Sequence, residues 1–402
     1  MKTFRGLTSM DEATRLIDEH IRPIDRLQMV SLTDALERVL GEDIKADFDI
    51  PSRDRSAMDG YAVVASDTLK ASSSRPVRLR LVGTVPIGKP PGLTVHRGEC
   101  ASMSTGCFIP DGADAVLMHE NTETDAKMVV VYKPTYVGEN ISVRGSDVKK
   151  GSVPLHVGDF ITPARVGVLA SLGRAVVRVF DKPSVSIIPT GPELTKVGSP
   201  LEEEKIYDIN SHTLSAVVTE NGGSPELCDP ILDERESIAQ AIESSIGTDL
   251  IVVAGGSSVG ERDLMYDVLS NMGQVLFHGV QIKPGKPTIC AHVRGRLVLG
   301  MPGHPTSCLS NAYLFLMPIV RRLAHLPPRR LTTVRAKLSR RIVSTLGRKV
   351  FMTMRLSEGQ AEPVYKESSA ITSMADADGY IVIPENTDTI EKGDEVEVSL
   401  FY

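Results

Sequence analysis

The chain has 402 residues, 41% of them hydrophobic and only 4% aromatic, with no Trp. That hydrophobic share supports real buried cores and excludes wholesale disorder, and the length suggests two to four domains. Lys and Arg number 45 against 51 Asp and Glu, a net charge of −6, so neither a nucleic-acid binder nor an anionic-membrane binder is expected.

The first fifty residues read as helices. Ser9-Met-Asp-Glu12 and Ser31-Leu-Thr-Asp34 both resemble capping boxes followed by periodic apolar positions. From Ile50 to Tyr136 the texture changes to short β-type runs, Val77–Val85, Ala115–Met118 and Met128–Tyr132, broken by Pro-Gly clusters. From Phe180 strands and helices alternate. Strands are expected at Val185–Ile188, Glu226–Leu232, Leu250–Ala254 and Val275–Ile282, and helices at Asp208–Glu220, Glu234–Ser245 and Ser307–Ala324. Such alternation predicts parallel pairing and an open α/β sheet, with ligands at the carboxyl ends of the strands. After Pro328 the helical signal vanishes, and alternating strands with Gly turns predict a small β-barrel. The expected domains are therefore 1–50 with 143–178 (helical and mixed), 51–142 (β-rich), 179–328 (three-layer α/β, mostly parallel) and 329–402 (barrel).

No run reaches the roughly 18 apolar residues of a membrane span. The longest, Ala312–Val320, contains Pro318, and Met1–Gly6 shows no apolar signal core. Cys100, Cys107, Cys228, Cys290 and Cys308 form no C-x-x-C and read as free thiols in a reducing, cytoplasmic setting.

Several segments carry candidate chemistry. Gly255–Gly260 follows a strand and opens a helix, so its amides can cradle an anion; the plain alternative is a tight turn. It lacks the Gly-Lys-Ser/Thr of a P-loop, and Ser257 stands where the dinucleotide fingerprint has its second Gly. The same stretch matches G-x-S-x-G at Ser258, for which Asp263 or Asp267 and His278, His292 or His304 are conceivable partners, yet no second glycine-rich oxyanion segment accompanies it. Lys283-Pro-Gly-Lys286-Pro places two ammonium groups on a stiffened loop suited to an oxyanion. Thr190-Gly-Pro-Glu193-Leu and Gly300-Met-Pro-Gly-His-Pro305 end other strands, so Glu193, Asp208 and Asp263 are expected to converge with the lysines. Carboxylates without His or Cys partners suit a hard ion such as Mg²⁺. Pro51–Val63 crowds polar, flexible and apolar residues before a strand, as functional loops do. His304 and Cys308 share an i, i+4 spacing, but two ligands do not make a zinc site.

Taken together, these segments resemble the molybdopterin molybdenumtransferase family, which includes the C-terminal domain of gephyrin. The carriers are Ser56–Ala62, Ser104–Gly106 with Pro110–Val116, Arg144–Asp147, Thr190–Leu194, Gly255–Gly260 with Asp263, Lys283–Pro287 and Pro302–Pro305, in that order and spanning essentially the whole chain. The resemblance implies a four-part elongated fold and a homodimer. It also implies a reaction in which adenylylated molybdopterin and molybdate, with Mg²⁺, give the molybdenum cofactor and AMP. By the same resemblance, Asp59, Glu193, Asp263 and Lys283 would be catalytic, with Glu193 and Asp263 as metal ligands. Thr105, Asp147, Asp233, Gly255, Gly256, Ser258, Gly260, Lys286, Arg348 and Ser368 would bind substrate. Asp59 and Thr105 would reach across the dimer cleft to the nucleotide or metal region, and the lysines would hold phosphate or molybdate. Transient contact with the molybdopterin adenylyltransferase and with apo-molybdoenzymes is implied as well.

The sequence departs from the family pattern at Pro192, where an Asp is usual, at His278, where some relatives have Lys, at Ser257 and at Thr84–Gly88. His304 replaces a more usual Asn. A tungstate-handling relative, a non-catalytic scaffold and the pathway's adenylyltransferase are the competing readings. Retention of Asp59, Glu193, Asp263, Lys283 and Lys286 favours an enzyme over a scaffold, and the Asp59 segment and the barrel speak against an adenylyltransferase.

Overall fold

The computed structural model describes residues 6–255, 264–364 and 366–402. The chain divides into two compact units: residues up to Met29 with Glu37–Gly41 and Arg178–Tyr402, and Val30–Leu36 with Glu42–Val177.

The second unit is built on a six-stranded sheet of β1 (Gly60–Val63), β2 (Val77–Thr84), β3 (Glu99–Met103), β4 (Ala115–Met118), β5 (Thr122–Asp125) and β6 (Met128–Val131), in the order β4-β1-β3-β2-β6-β5. Side chains alternate between two cores: Tyr61 and Val63 pack with Leu79 and Leu117, and Ala62 with Ala101, Met103 and Val116. The expected strands at 77, 115 and 128 are present, and β1, β3 and β5 join them.

The helix expected after Ser31 does not form. Its cap does, since Asp34 N–H donates to Ser31 Oγ at 3.2 Å, but only the 3₁₀ turn Thr33–Ala35 follows. Glu37 takes a φ of 61°, and the Val39 carbonyl accepts the Phe180 N–H at 2.9 Å, so pairing with a distant segment overrides the local helical signal. The first capping box is as expected: Ser9 Oγ accepts the Glu12 N–H and starts α1 (Met10–His20).

In the first unit, a second six-stranded sheet comprises β7 (Ser184–Pro189), β8 (Ser224–Leu227), β9 (Leu250–Ala254), β10 (Gln274–His278), β11 (Ile289–Val293) and β12 (Arg296–Met301), ordered β8-β7-β9-β12-β11-β10. The first four in that order run parallel, and β11 and β10 form an antiparallel edge. Both faces are covered, which is why β9 reads Leu-Ile-Val-Val-Ala without polar alternation. Val185, Ile187, Leu250 and Val252 pack with Ala13 and Ile17 of α1 and Ile21 just after it, with α2 (Asn210–Glu220) and with the long C-terminal helix. Ile188, Ile251 and Val253 face α3 (Arg235–Ser244) and α4 (Leu264–Met272). That C-terminal helix runs Pro305–Asn311, passes through a π turn at Ala312–Leu316, and ends as Met317–Leu323.

Two expected strands are shorter than predicted. The one at Glu226–Leu232 stops at Leu227, where Pro230 and the bridge from Thr190 to Ile231 redirect the chain. The one at Val275–Ile282 stops at His278; Gly279 turns with φ 86°, and Ile282–Lys283 pairs instead with the barrel.

The barrel strands are β13 (Thr333–Leu338), β14 (Lys349–Ser357), β15 (Gln360–Pro363), β16 (Gly379–Ile383) and β17 (Glu395–Leu400). Each pairs with the next in the cycle β14-β15-β13-β17-β16-β14, which closes a five-stranded barrel around Ala336, Leu338, Val350, Met354, Ile381 and Val398.

One buried carboxylate pins the N-terminal segment to the α/β sheet. Asp249, with its side chain 2% exposed, accepts both Arg26 guanidinium NH groups at 2.8 and 2.7 Å and the Ser184 N–H at 2.8 Å. Burial opposes its ionisation, but the bonds from Arg26 and Ser184 outweigh that and hold its pKa below the ordinary carboxylate value. Asp249→Ala should destabilise the chain by about 1–3 kcal/mol, because it leaves the Ser184 amide without its acceptor and the half-exposed Arg26 with Asp181 alone. A depressed folded pKa gives stability that is present above the unfolded pKa and lost as pH falls through the folded value. Urea midpoints of wild type and variant should therefore differ most at neutral pH, and the gap should begin to narrow only as pH falls below about 4 toward the depressed folded value; a gap unchanged at low pH contradicts this ion-pair account.

Candidate active site

At the carboxyl edge of the parallel sheet, β7, β9 and β12 end beside one another. Thr190 N–H donates to Ala254 O at 2.9 Å, Gly191 N–H to Ile231 O at 3.0 Å, and Gly255 N–H to Met301 O at 3.1 Å. Gly255 has φ 113°, and a Cβ there would sit 2.3 Å from Thr190 O, so only glycine fits. Thr190 Oγ1 donates to Asp233 Oδ1, which places Asp233 over the end of β7. The exposed Glu193 folds its carboxylate back over Gly191, within 2.7 Å of where a Cβ would stand. Gly303 lies against Gly255, and Asn210 Nδ2 donates to Gly303 O at 2.7 Å.

Asp208 does not offer its charge to this edge. It is 5% exposed, and Oδ1 accepts the Ser211 N–H at 3.1 Å at the start of α2. Gly256, Ser258, Gly260 and Asp263 lie outside the described residues, and with them the glycine loop, the Ser258 elbow and the expected second metal ligand. Among the described residues, no group of three or more His, Cys, Asp or Glu is arranged to hold a metal ion.

The two-lysine loop is built rather than loose. Gly285, with φ 102°, lies against buried Asn311, leaving no space for a Cβ. Asn311 Nδ2 donates to Gly285 O at 3.1 Å and to Thr288 Oγ1, and Thr288 Oγ1 donates to Gly285 O at 2.8 Å. Lys283 is exposed, and its Nζ donates to Thr345 Oγ1 of the barrel at 3.1 Å; Lys286 is half-buried. Arg348 precedes Lys349, whose N–H donates to Gln281 O at 2.9 Å, so the pairing of Ile282–Lys283 with β14 brings Arg348 to this loop. Ser368 meets the other loop: its Oγ lies 2.8 Å from His304 Nδ1, and its carbonyl accepts the Thr306 N–H at 3.0 Å. Lys283, Arg348 and Ser368, far apart in sequence, thus flank loops of the α/β sheet.

Three residues here escaped the sequence reading. Asn210, Thr345 and Asn311 have no motif of their own, and only the fold brings them to the loops they bond. Asn210 Oδ1, Ser211 Oγ and Asn311 Oδ1 are buried without a hydrogen-bond partner.

The second unit holds Asp59, Thr105 and Asp147, all exposed. Ser56 Oγ accepts the Met58 N–H at 3.3 Å, and Gly60 packs against Leu117 O, which fixes the loop before β1. Asp59 Oδ1 accepts the Thr105 N–H at 2.6 Å and the Thr105 hydroxyl at 3.0 Å. The backbone bond first, and the hydroxyl second, hold the Asp59 carboxyl below its ordinary pKa, so it stands as an anion. Asp147 N–H donates to Ile50 O at 3.0 Å.

Known protein families and relatives match this chain over most of its length. Residues 8–173 match the MoeA N-terminal region (domain I and II), 186–322 the family described as "Probable molybdopterin binding domain", and 335–401 the MoeA C-terminal region (domain IV). The molybdopterin molybdenumtransferase of Bacillus subtilis is 36% identical over 403 residues, covering 97% of this chain and 93% of its own. That of Staphylococcus aureus (strain COL) is 33% identical over 296 residues, covering 73% and 71%. A crystal structure of the molybdopterin biosynthesis moeA protein from Pyrococcus horikoshii OT3 superposes with a TM-score of 0.86 at 33% identity, covering 98% of this chain and 100% of that one. Fold and loops together define a multidomain transferase of molybdenum cofactor biosynthesis. The chain belongs to the molybdopterin molybdenumtransferase (MoeA) family.

The Asp59 carboxylate yields a direct test. In ¹³C carboxyl titrations it should ionise below the ordinary Asp range, and Thr105→Val should move it up only part of the way, since the Thr105 N–H still donates. A full return to the ordinary value, or no movement, would show that the hydroxyl and amide are wrongly apportioned.

Proposed function

We propose that this enzyme inserts molybdate into adenylylated molybdopterin with Mg²⁺, releasing AMP. The observation that carries the reading is the pair of bonds joining barrel to α/β loops, Thr345 to Lys283 and Ser368 to His304. They join Lys283 and His304 of the α/β loops to barrel hydroxyls, and these loops leave the carboxyl edge of a parallel sheet, where such sheets bind ligands. A tetrahedral oxyanion needs several converging donors, and Lys283, Lys286, Arg348 and Ser368 supply that chemistry.

On this reading Thr190, Asp233 and Gly255 line the pterin-phosphate side, and Lys283 and Lys286 hold the phosphate and the incoming anion. The donor set near the pyrophosphate is carboxylate oxygen, which suits Mg²⁺, so Glu193 with Asp263 would hold the ion. When bound, it would neutralise charge as the phosphoanhydride breaks. Asp59, Thr105 and Asp147 are proposed to serve the nucleotide or metal region in a homodimer, as the family resemblance implies. Ser258 with the Gly256 and Gly260 amides would complete the phosphate cradle. The domain boundaries given above, cytoplasmic action, and transient contact with the adenylyltransferase and apo-molybdoenzymes belong to the same proposal. No helix among the described residues is long and apolar enough to cross a membrane.

The test is AMP release from adenylylated molybdopterin with Mg²⁺ and no added anion, molybdate or tungstate. Release that depends on molybdate is expected; a tungstate preference would change the metal, and bound substrate without release would favour a scaffold. Asp59→Ala should cut turnover by at least 100-fold, in the range of lost catalytic groups, with the fold intact. Lys283→Ala should raise the half-saturating anion concentration more than that of the pterin substrate, and equal losses would remove it from the anion role.

A further inference from the structure

We propose that His304 is a positioning residue for the oxyanion site: it sets which way the Ser368 hydroxyl points its proton. The inference rests on the reading of Ser368 as an anion donor given above. His304 Nδ1 and Ser368 Oγ lie 2.8 Å apart, and either atom can carry the shared proton. If the imidazole bears its proton on Nε2, Nδ1 accepts from the hydroxyl, and Ser368 turns only lone pairs outward. If Nδ1 is protonated, it donates to Oγ, and the hydroxyl proton is free for an anion. An oxyanion on Ser368 therefore selects the Nδ1–H form, and any fixed donor at position 304 favours the anion in return.

Both partners are held for this. His304 precedes Pro305 and has φ −69° and ψ 127°, the extended region that a following proline imposes. Thr306 clamps the facing segment twice, through its N–H to Ser368 O at 3.0 Å and its Oγ1 to Ala370 O at 3.1 Å. The Ser368 backbone is thus held by these bonds, and its hydroxyl meets His304. An Asn, the residue more usual in the family here, carries Nδ2–H close to where His carries Nδ1–H. The departure at 304 therefore keeps the donor site but makes the donor depend on imidazole tautomer or charge.

Isothermal titration of molybdate alone into the full chain tests this with five variants: His304→Ala, His304→Asn, Ser368→Ala, His304→Ala with Ser368→Ala, and Lys283→Ala. His304→Ala should weaken binding about fivefold, the scale of one hydrogen bond. His304→Asn should restore it to within about twofold, since a permanent donor returns. The double variant should be no weaker than Ser368→Ala alone. ¹⁵N spectra of His304 should move toward the Nδ1-protonated form as molybdate is added, which a merely structural residue would not show. Because His304 is exposed, its variants should melt with wild type. Wild-type affinity in His304→Ala, with loss in Ser368→Ala, overturns the proposal and leaves the site reading standing. Additive losses or failed rescue by Asn overturn it as well. Unchanged binding in both Ser368→Ala and Lys283→Ala, or no binding by wild type, overturns the site reading itself.

Discussion

The close approach of three strand ends around Gly255 is the constraint from which the site loops take their directions. Gly255 gives its N–H to the end of β12, and its Cα faces the Thr190 carbonyl at the end of β7 with no room for a methyl group. Strand ends in parallel sheets usually splay apart into their crossovers; here they are tied by amide bonds, so each loop leaves from a fixed point. Thr190 can then reach Asp233 from the next loop, and Gly303 can sit against Gly255. A side chain at 255 would push Thr190 away, and Asp233 would lose its partner.

The barrel matters because it completes loops it does not own. Its docking surface is aromatic: Phe351, Met374, Tyr380 and Phe401 pack against Leu309, Tyr313 and Leu314 of the C-terminal helix. Those last residues span the π turn, where an extra residue per turn shifts the helix face. Asn311, one residue before it, faces the other way and holds Gly285. One helix segment therefore positions both the lysine loop and the barrel, so the bonds from Thr345 and Ser368 onto the loops depend on the same few residues.

What could be read from the sequence follows from how local each signal is. The strands Leu250–Ala254 and Ala115–Met118 were legible because burial on both faces leaves an unbroken apolar run. The Ser9 cap was legible because its bond to Glu12 lies within one turn. The helix expected after Ser31 failed for the opposite reason: its cap is local, but Val39 is claimed by Phe180, which no local pattern reveals. Likewise Lys283–Pro287 stood out as a loop, whereas its attachment to β14 rather than to the α/β sheet depends on a pairing across more than sixty positions of chain, Ile282 with Lys349. Asn210, Asn311 and Thr345 were silent because a lone Asn or Thr has no spacing signature; their roles arise only where the fold buries them or sets them against a loop.

Charge sharpens what such a site can select. The chain carries a net charge of −6, so a dianion gains no long-range steering, and beyond a Debye length of about 8 Å the remaining field is screened. Attraction must come from contacts. An exposed carboxylate such as Glu193 makes an anion's approach worse unless a cation stands beside it. On the proposed reading affinity rests on contact donors: lysines on a glycine-pinned loop, and the Ser368 hydroxyl beside its imidazole neighbour. On that reading, donors held on two separate loops favour an anion that can reach both.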